Sequence, residues 1–424
     1  MKNLTKILFI APTAFLASAL LVTMLLSANS NAQSIQDPFL KAFKEGRPYI
    51  DARYRYEYVE DDAFSNEANA STFRTRVGFE SGEFLNGMKG TIEFENISVF
   101  PADSEYNNTI NGKTTYPTVA DPDGNEINKL HLDFLYLKRN VFRVGRQELE
   151  FDNERFVGDY SWRQNNQTFD AITIDNEYIK DLNFKYSYVY NVNTVFGNDS
   201  PVGDYDSNSH LVSVNFSRFK QAIFGVYGYF IDLDRNTLSN NTYGLYLEGD
   251  ARIQGALRGH YHFEYAMQEE YADNPNSYET DYFNLSAGIK AFGWGANIGY
   301  EVLGSEGTAG TAFRTPLASG HKFNGWSDKF LNPLAGGLED LNFTVSYNTQ
   351  TNNEILKDIG VLFRYHDFQA AEGSTDYGSE IDFQLTKEIN ENYSVAMKYA
   401  DFTAETASGL SDSTKFWFLF NVRY

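Results

Sequence analysis

The sequence predicts an all-β protein, a transmembrane antiparallel up-and-down β-barrel of about eighteen strands. Three observations predict this class: apolar and polar residues alternate with a period of two, the connections alternate between long and short, and aromatic residues make up 16% of the chain. Beyond Ala32, no apolar run reaches the roughly 20 residues that a membrane-spanning helix needs. We therefore expect either a barrel or a soluble β-protein.

The last strand shows the alternation most clearly. From residue 415 onward every second residue is apolar, which predicts a strand with one apolar face, formed by Phe416, Phe418, Phe420, Val422 and Tyr424. A final strand that ends on an aromatic residue is similar to the closing strand of bacterial outer-membrane barrels, which also serves as a signal for the assembly machinery. The other interpretation is an ordinary core strand of a soluble β-protein.

Earlier segments alternate in the same way, and their polar positions are often charged while their apolar positions are rich in rings. Examples are 50–58, 73–79, 184–190, 253–265 and 359–365. A soluble sandwich would also alternate, but the charged faces favour a barrel around a polar lumen. The weakest predicted strands are Phe142–Val144 and Ala171–Ile174. Without them the count would fall to about sixteen, which is also even.

The predicted connections alternate between short and long along the chain, as the periplasmic turns and external loops of outer-membrane barrels do. The short connections are expected near 138–140, 217–220, 249–251 and 290–293. The long connections are expected near 59–70, 101–126, 148–168, 193–209, 266–280 and 303–338.

The N-terminal region has the features of a secretory signal peptide, residues 1–32. Lys2 and Lys6 precede an apolar stretch, and small residues up to Ala32 favour cleavage there. Residues 33–46 are interpreted as a short periplasmic lead-in and residues 47–424 as the barrel. With no cysteine in the chain, lipid anchoring through a cysteine is excluded. The predicted location is the outer membrane of a Gram-negative bacterium, in contact with lipid and lipopolysaccharide.

Two sequence blocks carry a family resemblance. The first joins Val144-Gly145-Arg146-Gln147 to the segment from Trp162-Arg163-Gln164 to Asp170, and the second runs from Phe313 to Phe330 and contains His321-Lys322-Phe323-Asn324-Gly325-Trp326. Both blocks resemble the alginate-export family of outer-membrane porins. The resemblance implies an eighteen-stranded barrel with an electropositive constriction that passes an acidic polysaccharide outward.

Basic residues are predicted to line the pore, because the alternation places many of them on the inward face. Arginine rings suit an anion pathway and fit carboxylates with two hydrogen bonds. The candidate pore-lining residues are Arg53, Arg55, Arg74, Arg76, Arg143, Arg146, Arg163, Arg258 and Arg364. The alternative is that lumen charges pair across strands and stiffen the wall.

Arg146 and Arg163 do not lie on the inward face of a regularly alternating strand. Strict alternation would place Arg146 on the outward face with Phe142 and Val144, so a pore-lining position requires a bulge or an earlier strand end. Arg163 lies in the 148–168 connection and would reach the pore if that loop folded inward. The 303–338 connection is also too long for a plain turn. It is expected either to plug the pore with His321 and Lys322 or to pack on its own rim or a neighbouring subunit.

The predicted function is a channel that passes anionic or sugar-like solutes, acidic polysaccharide such as alginate among them, with no cofactor and no metal. The net charge of −22 argues against nucleic acid as a partner. The alternatives are a general uptake porin without an export role, and a barrel whose loops act as an adhesin or an enzyme. An enzyme is not predicted, because the chain has no Gly-x-Ser-x-Gly motif and no convincing catalytic pairing.

Overall fold

The computed structural model describes residues 38–85, 87–100 and 104–424. The predicted signal peptide and the first five residues of the predicted lead-in, 33–37, lie outside these residues. A short helix, α1, spans Pro38–Lys44, and the chain divides into two units after Lys41. The larger unit, Ala42–Tyr424, contains every described strand. No helix among the described residues is long and apolar enough to span a bilayer.

Eighteen strands follow α1 in chain order. They are β1 (Arg47–Asp61), β2 (Ala68–Glu80), β3 (Met88–Val99), β4 (Gly124–Phe134), β5 (Asn140–Gln147), β6 (Thr168–Asn176), β7 (Leu182–Asn193), β8 (Asp204–Phe219), β9 (Ala222–Ile231), β10 (Asn240–Gln254), β11 (Leu257–Glu270), β12 (Glu279–Ala291), β13 (Trp294–Leu303), β14 (Leu338–Asn348), β15 (Ile359–Gln369), β16 (Asp376–Glu388), β17 (Tyr393–Ala404) and β18 (Ser413–Arg423).

The strands form one closed antiparallel sheet in which each strand pairs with its neighbour in sequence. The sheet closes between β1 and β18, where Tyr54 lies opposite Phe420 and Tyr58 opposite Phe416. The predicted barrel is thus confirmed. Its strand count is eighteen rather than sixteen, because the two weakly predicted segments are the real strands β5 and β6.

The two faces of the sheet differ as a membrane barrel requires. On β16, Asp382 is fully buried while the next residue, Phe383, is 42% exposed. Phe363 on β15 and Phe343 on β14 are exposed beside it, so the outward face carries a band of apolar rings. The inward face is polar, which leaves the interior to be filled by loops or water.

The connections alternate in length around the barrel. On one side lie the tight turns 220–221, 255–256 and 292–293, and on the other the long connections 100–123, 148–167 and 304–337. In outer-membrane barrels the short turns are periplasmic and the long loops external. The short connection expected near 249–251 is wrong, because β10 continues to Gln254 and the chain turns at Gly255. The turn expected near 217–220 lies slightly later in the chain, at 220–221.

Candidate functional site

Two long external connections fold into the barrel and contact each other. We call them the β5–β6 loop (148–167) and the β13–β14 loop (304–337). Val157 pairs with Leu317 in a parallel bridge, and the Gln167 side chain donates to the Leu317 carbonyl at 3.0 Å. Arg155 donates to the Asn324 side chain at 2.9 Å. The two loops together form a plug, as one of the alternatives for the 303–338 connection expected.

The β5–β6 loop packs on one wall through aromatic rings. Phe156 contacts the rings of Tyr227 and Tyr282, with centroids 5.3 and 5.2 Å apart. Asp152 in the same loop accepts hydrogen bonds from Tyr229 at 2.8 Å and Tyr246 at 3.0 Å. Buried rings in edge or tilted contact add to the stabilisation from area burial alone, so this side of the plug is held by apolar packing and tyrosine hydroxyls.

The opposite wall, β1 and β2, holds the same loop with arginines. Arg53 Nη1 donates to the backbone carbonyls of Ser161 at 3.0 Å, Trp162 at 3.3 Å and Arg163 at 3.2 Å. Arg55 also donates to the Trp162 carbonyl and forms a 2.6 Å ion pair with Glu57. Arginine suits this role because its guanidinium presents several donors in a fixed fork.

Arg74 and Arg76 on β2 extend this contact. Arg76 donates to the Asn166 side chain at 2.8 Å and pairs with Glu95, while Arg74 pairs with Asp51. Both guanidinium groups lie 3.5 Å from the Gln164 carbonyl. The four wall arginines, Arg53, Arg55, Arg74 and Arg76, are therefore inward but buried. The inward position agrees with the alternation that led to the pore-lining prediction, but in this structure the β5–β6 loop covers all four.

Arg163 lies within the plug, between wall and loops. It contacts Glu57 at 3.2 Å and Asp328 of the β13–β14 loop at 3.4 Å. Asp328 also contacts Lys415 of β18 at 3.4 Å. Burial opposes the charge of Asp328, but His321, Lys415 and Arg163 together hold its pKa well below the usual range. Arg163 thus joins the two loops to each other and to the wall.

Arg146 is a further correction. It pairs in register with Leu130, which is 50% exposed on the outward face. It forms a two-pronged ion pair with Asp170 at 2.7 and 3.0 Å. Alternation along β5 therefore holds through Arg146, and the residue stabilises the outer rim of the β5–β6 pair instead of lining the pore.

The remaining predicted arginines lie on the inward face at different depths. Arg143 forms a two-pronged pair with Asp133 at 2.6 and 2.8 Å. Arg258 pairs with Asp250 at the periplasmic rim and is largely exposed. Arg364 donates to Thr344 at 2.9 Å. No carboxylate among the described residues lies within ion-pair distance of Arg364. Of the nine candidates, Arg143 and Arg258 are thus the inward ones outside the plug contacts, whereas the Arg364 guanidinium lies 5.9 Å from the ring centroid of Trp326 in the β13–β14 loop.

The sequence reasoning missed a cluster around Lys398 on β17. Its ammonium lies 4.1 Å from the ring centroid of Trp162, 3.5 Å from that of Trp326 and 5.6 Å from that of Trp417. His321 stacks on Trp162 at 4.1 Å. Trp162, Trp326 and His321 all lie in the two family blocks, which was the available signal, but nothing in the sequence indicated that the blocks meet.

The plug separates two regions of the lumen. Outside it lies a vestibule of about 500 Å³, whose charged lining residues are Asp61, Arg155, Arg163, Asp328, Lys329 and Lys415. On the periplasmic side lie two chambers of about 550 and 400 Å³ that share Glu150 and Lys185. Among the described residues no three His, Asp or Glu side chains are grouped so that they could hold a metal ion.

Comparison with known proteins agrees with this architecture. A family model described as alginate export matches residues 49–324, while no curated protein matches the chain. Solved structures match closely in fold. Acinetobacter baumannii OccAB2 has a TM-score of 0.70 at 14% identity, covering 91% of this chain and 99% of that chain.

Two Pseudomonas aeruginosa structures are similar to the same extent. OpdO has a TM-score of 0.69 at 12% identity, covering 91% of this chain and 98% of that chain. OpdK, solved with vanillate, has a TM-score of 0.67 at 11% identity, covering 90% and 99%. Identities this low show a shared fold, and the family match confirms the resemblance predicted from the two sequence blocks. The chain therefore belongs to the alginate export family, and as an eighteen-stranded barrel of that family it is an outer-membrane channel for solutes.

Proposed function

We propose that this channel passes small anionic solutes, carboxylated saccharides among them, and that they enter through the external vestibule. The observation that supports this proposal is the charge of the residues that line the vestibule. Its lining contains four cations, Arg155, Arg163, Lys329 and Lys415, and two carboxylates, Asp61 and Asp328. The chain as a whole has 35 basic and 57 acidic residues, so this lining reverses the overall balance.

The vestibule also suits the apolar faces of sugar or aromatic rings. Phe64, Phe323 and Phe330 line it together with Tyr160 and Tyr205. Cations and aromatic rings in one lining would favour a solute that joins a carboxylate to a ring. The structurally similar OpdK was solved with vanillate, itself a ring carboxylate, and this likeness supports the same solute class.

The plug favours small solutes over a polymer. Phe156 and Phe313 lie in the packed core of the lumen, and Leu317 and Val157 join the loops across it. A polysaccharide chain would need both loops displaced along its whole path, whereas a small solute needs only a local opening. Passage of acidic polysaccharide remains the alternative that the family resemblance favours, and lipopolysaccharide and the assembly machinery remain predicted partners.

The test is ion selectivity of the refolded mature chain in a planar bilayer. The double variant Lys329→Gln/Lys415→Gln removes two vestibule charges. A lysine charge and an anion about 5 Å apart in water attract each other by about 0.8 kcal/mol. The loss of each lysine charge should therefore lower the preference for anions by about fourfold. Lys357→Gln, on the exposed 349–358 turn, is the matched control.

Block by a uronate should weaken in the double variant and stay unchanged in the control. Tryptophan emission serves as the check that the plug stays docked. Unchanged selectivity and unchanged uronate block, with the plug docked, would contradict the proposed solute class. Current that polyuronate but not uronate blocks would favour the polymer alternative.

A further inference from the structure

The cluster around Lys398 joins three separate parts of the chain at one ammonium group. Trp162 belongs to the β5–β6 loop, Trp326 to the β13–β14 loop, and Trp417 to the wall strand β18. We call these three rings the tryptophan cage. The chain has four tryptophans, so the cage uses all of them except Trp294.

The ammonium in the cage contacts ring faces and one imidazole. No described carboxylate lies within ion-pair distance of Lys398, and its hydrogen bond is to His321 Nε2 at 2.7 Å. The quadrupole of an aromatic ring attracts a cation over its face, and the attraction is stronger where the cation is desolvated. The two rings that approach most closely come from different loops, so the attraction acts on both loops at once.

His321 connects this cage to the rest of the plug. Its Nδ1 lies 2.9 Å from Asp328 Oδ1, and its Nε2 faces the Lys398 ammonium. Because an ammonium can only donate, Nε2 must be the acceptor and Nδ1 must carry the proton. The neutral imidazole therefore bridges a cation and a carboxylate, and Asp328 continues the chain of contacts to Arg163.

A second proton on His321 would break this arrangement. It would remove the acceptor for Lys398 and place two cations in contact inside a buried cluster. Burial, followed by the charge of Lys398, lowers the pKa of His321 to about 3. The charged or titratable groups facing His321 or adjoining its partners are Asp328 on its own loop, Tyr160 and Arg163 on the β5–β6 loop, Arg55 and Glu57 on β1, Arg364 on β15, Glu380 and Asp382 on β16, Lys398 on β17 and Lys415 on β18.

We propose that the tryptophan cage around Lys398 is a latch that holds both loops in the lumen as one plug, and that protonation of His321 releases it. The proposal rests on the proposed function in that it assigns the opening step of the same channel. It predicts that the two loops leave together, because each contributes a ring to one cation and because Val157 and Leu317 tie them to each other.

A carboxyl group in the plug opposes this response and is removed from the test. Asp159 in the β5–β6 loop is buried near Glu148, which raises its pKa to about 6. Protonation of Asp159 therefore favours docking over the acid range in which protonation of His321 favours release. Asp159→Asn keeps the acceptor for the Ser161 amide, 2.9 Å away, and cannot titrate.

The experiment uses the full mature chain with Trp294→Phe and Asp159→Asn, so that all tryptophan emission comes from the cage. Lowering the pH from 7 to 4 should shift this emission to longer wavelength and raise the open probability in a bilayer by about tenfold per pH unit below 6.5. His321→Gln is the test variant, because its amide offers a donor and an acceptor without titrating. His210→Gln, outside the lumen beside Tyr186, is the control.

The latch requires that His321→Gln abolish both responses and that His210→Gln retain them. A shift that survives His321→Gln, or no shift in the parent, would overturn the proposal. Lys398→Met should release the plug already at pH 7, and a docked plug in that variant would also overturn it. Emission reports the loops whatever the solute, so a released plug without anion preference would contradict the proposed function and leave the latch standing.

Discussion

Arg53 should decide how firmly the wall holds the β5–β6 loop. Its Nη1 serves three loop carbonyls, and among the described residues no carboxylate lies within ion-pair distance of its guanidinium. Arg53→Met keeps much of the aliphatic stem and removes the donor. Net contributions of hydrogen bonds to charged groups are about 1.5–3 kcal/mol. One nitrogen is shared among the three carbonyls, so we count this free energy once and not three times. Its loss corresponds to an undocked population of the β5–β6 loop about ten to a hundred times larger than in the parent protein.

The assay is the dwell time in each conductance state of single channels, with cage emission as the second readout. Arg258→Met removes the same charge at the periplasmic rim, where Asp250 is the partner and no loop contact is lost. We expect Arg53→Met to lengthen the open dwells and Arg258→Met to leave them unchanged. Equal dwell times in the two variants would refute the reasoning that guanidinium–carbonyl contacts hold the loop.

Three further outcomes are expected. Gly325→Ala should loosen the β13–β14 loop and red-shift the cage emission, because Gly325 has a φ of +83° and an added Cβ would lie 2.5 Å from Glu380 Oε2. Tyr54→Arg places a charge on the outward face near the middle of β1 and should lower the unfolding free energy by about 2–4 kcal/mol in a refolding titration in lipid. In a His321→Gln protein that retains Asp159, docking should weaken as the pH rises from 4 to 7, because the raised pKa of Asp159 favours the docked loop below about 3.8 and this contribution is lost through about 6. The rate at which a protease cleaves the two loops at each pH measures this weakening of docking.

The barrel could be predicted from the sequence because its cause is local. Alternate residues of a strand lie on opposite faces of the sheet, so the sequence shows both faces directly. The short turns limit the possible strand pairings. The turn predicted near 249–251 was wrong because Gly249 has another role than making a turn. Gly249 lies inside β10, and a Cβ there would come 1.8 Å from the Gln221 carbonyl, whereas Gly255 at a φ of +58° makes the turn.

The interior of the lumen could not be predicted in the same way. The contacts of Arg53 with Ser161 or of Trp162 with His321 join residues far apart in sequence, and loop docking has no period. Arg146 shows the reverse case. Alternation already indicated an outward position, and the structure agrees with the alternation rather than with the expectation drawn from its motif.

Opening and selectivity are coupled in this barrel, because the β5–β6 loop covers the wall arginines. When that loop leaves, the carbonyls of Ser161 and Trp162 leave Arg53, and its charge faces the lumen with no described carboxylate close enough to pair with it. The high-conductance state should then be more anion-selective than the low-conductance state, although wider pores are usually less selective. Reversal potentials measured separately for each state of the same channel test this. A wider state with weaker anion preference would mean that the arginines stay covered or paired when the channel opens.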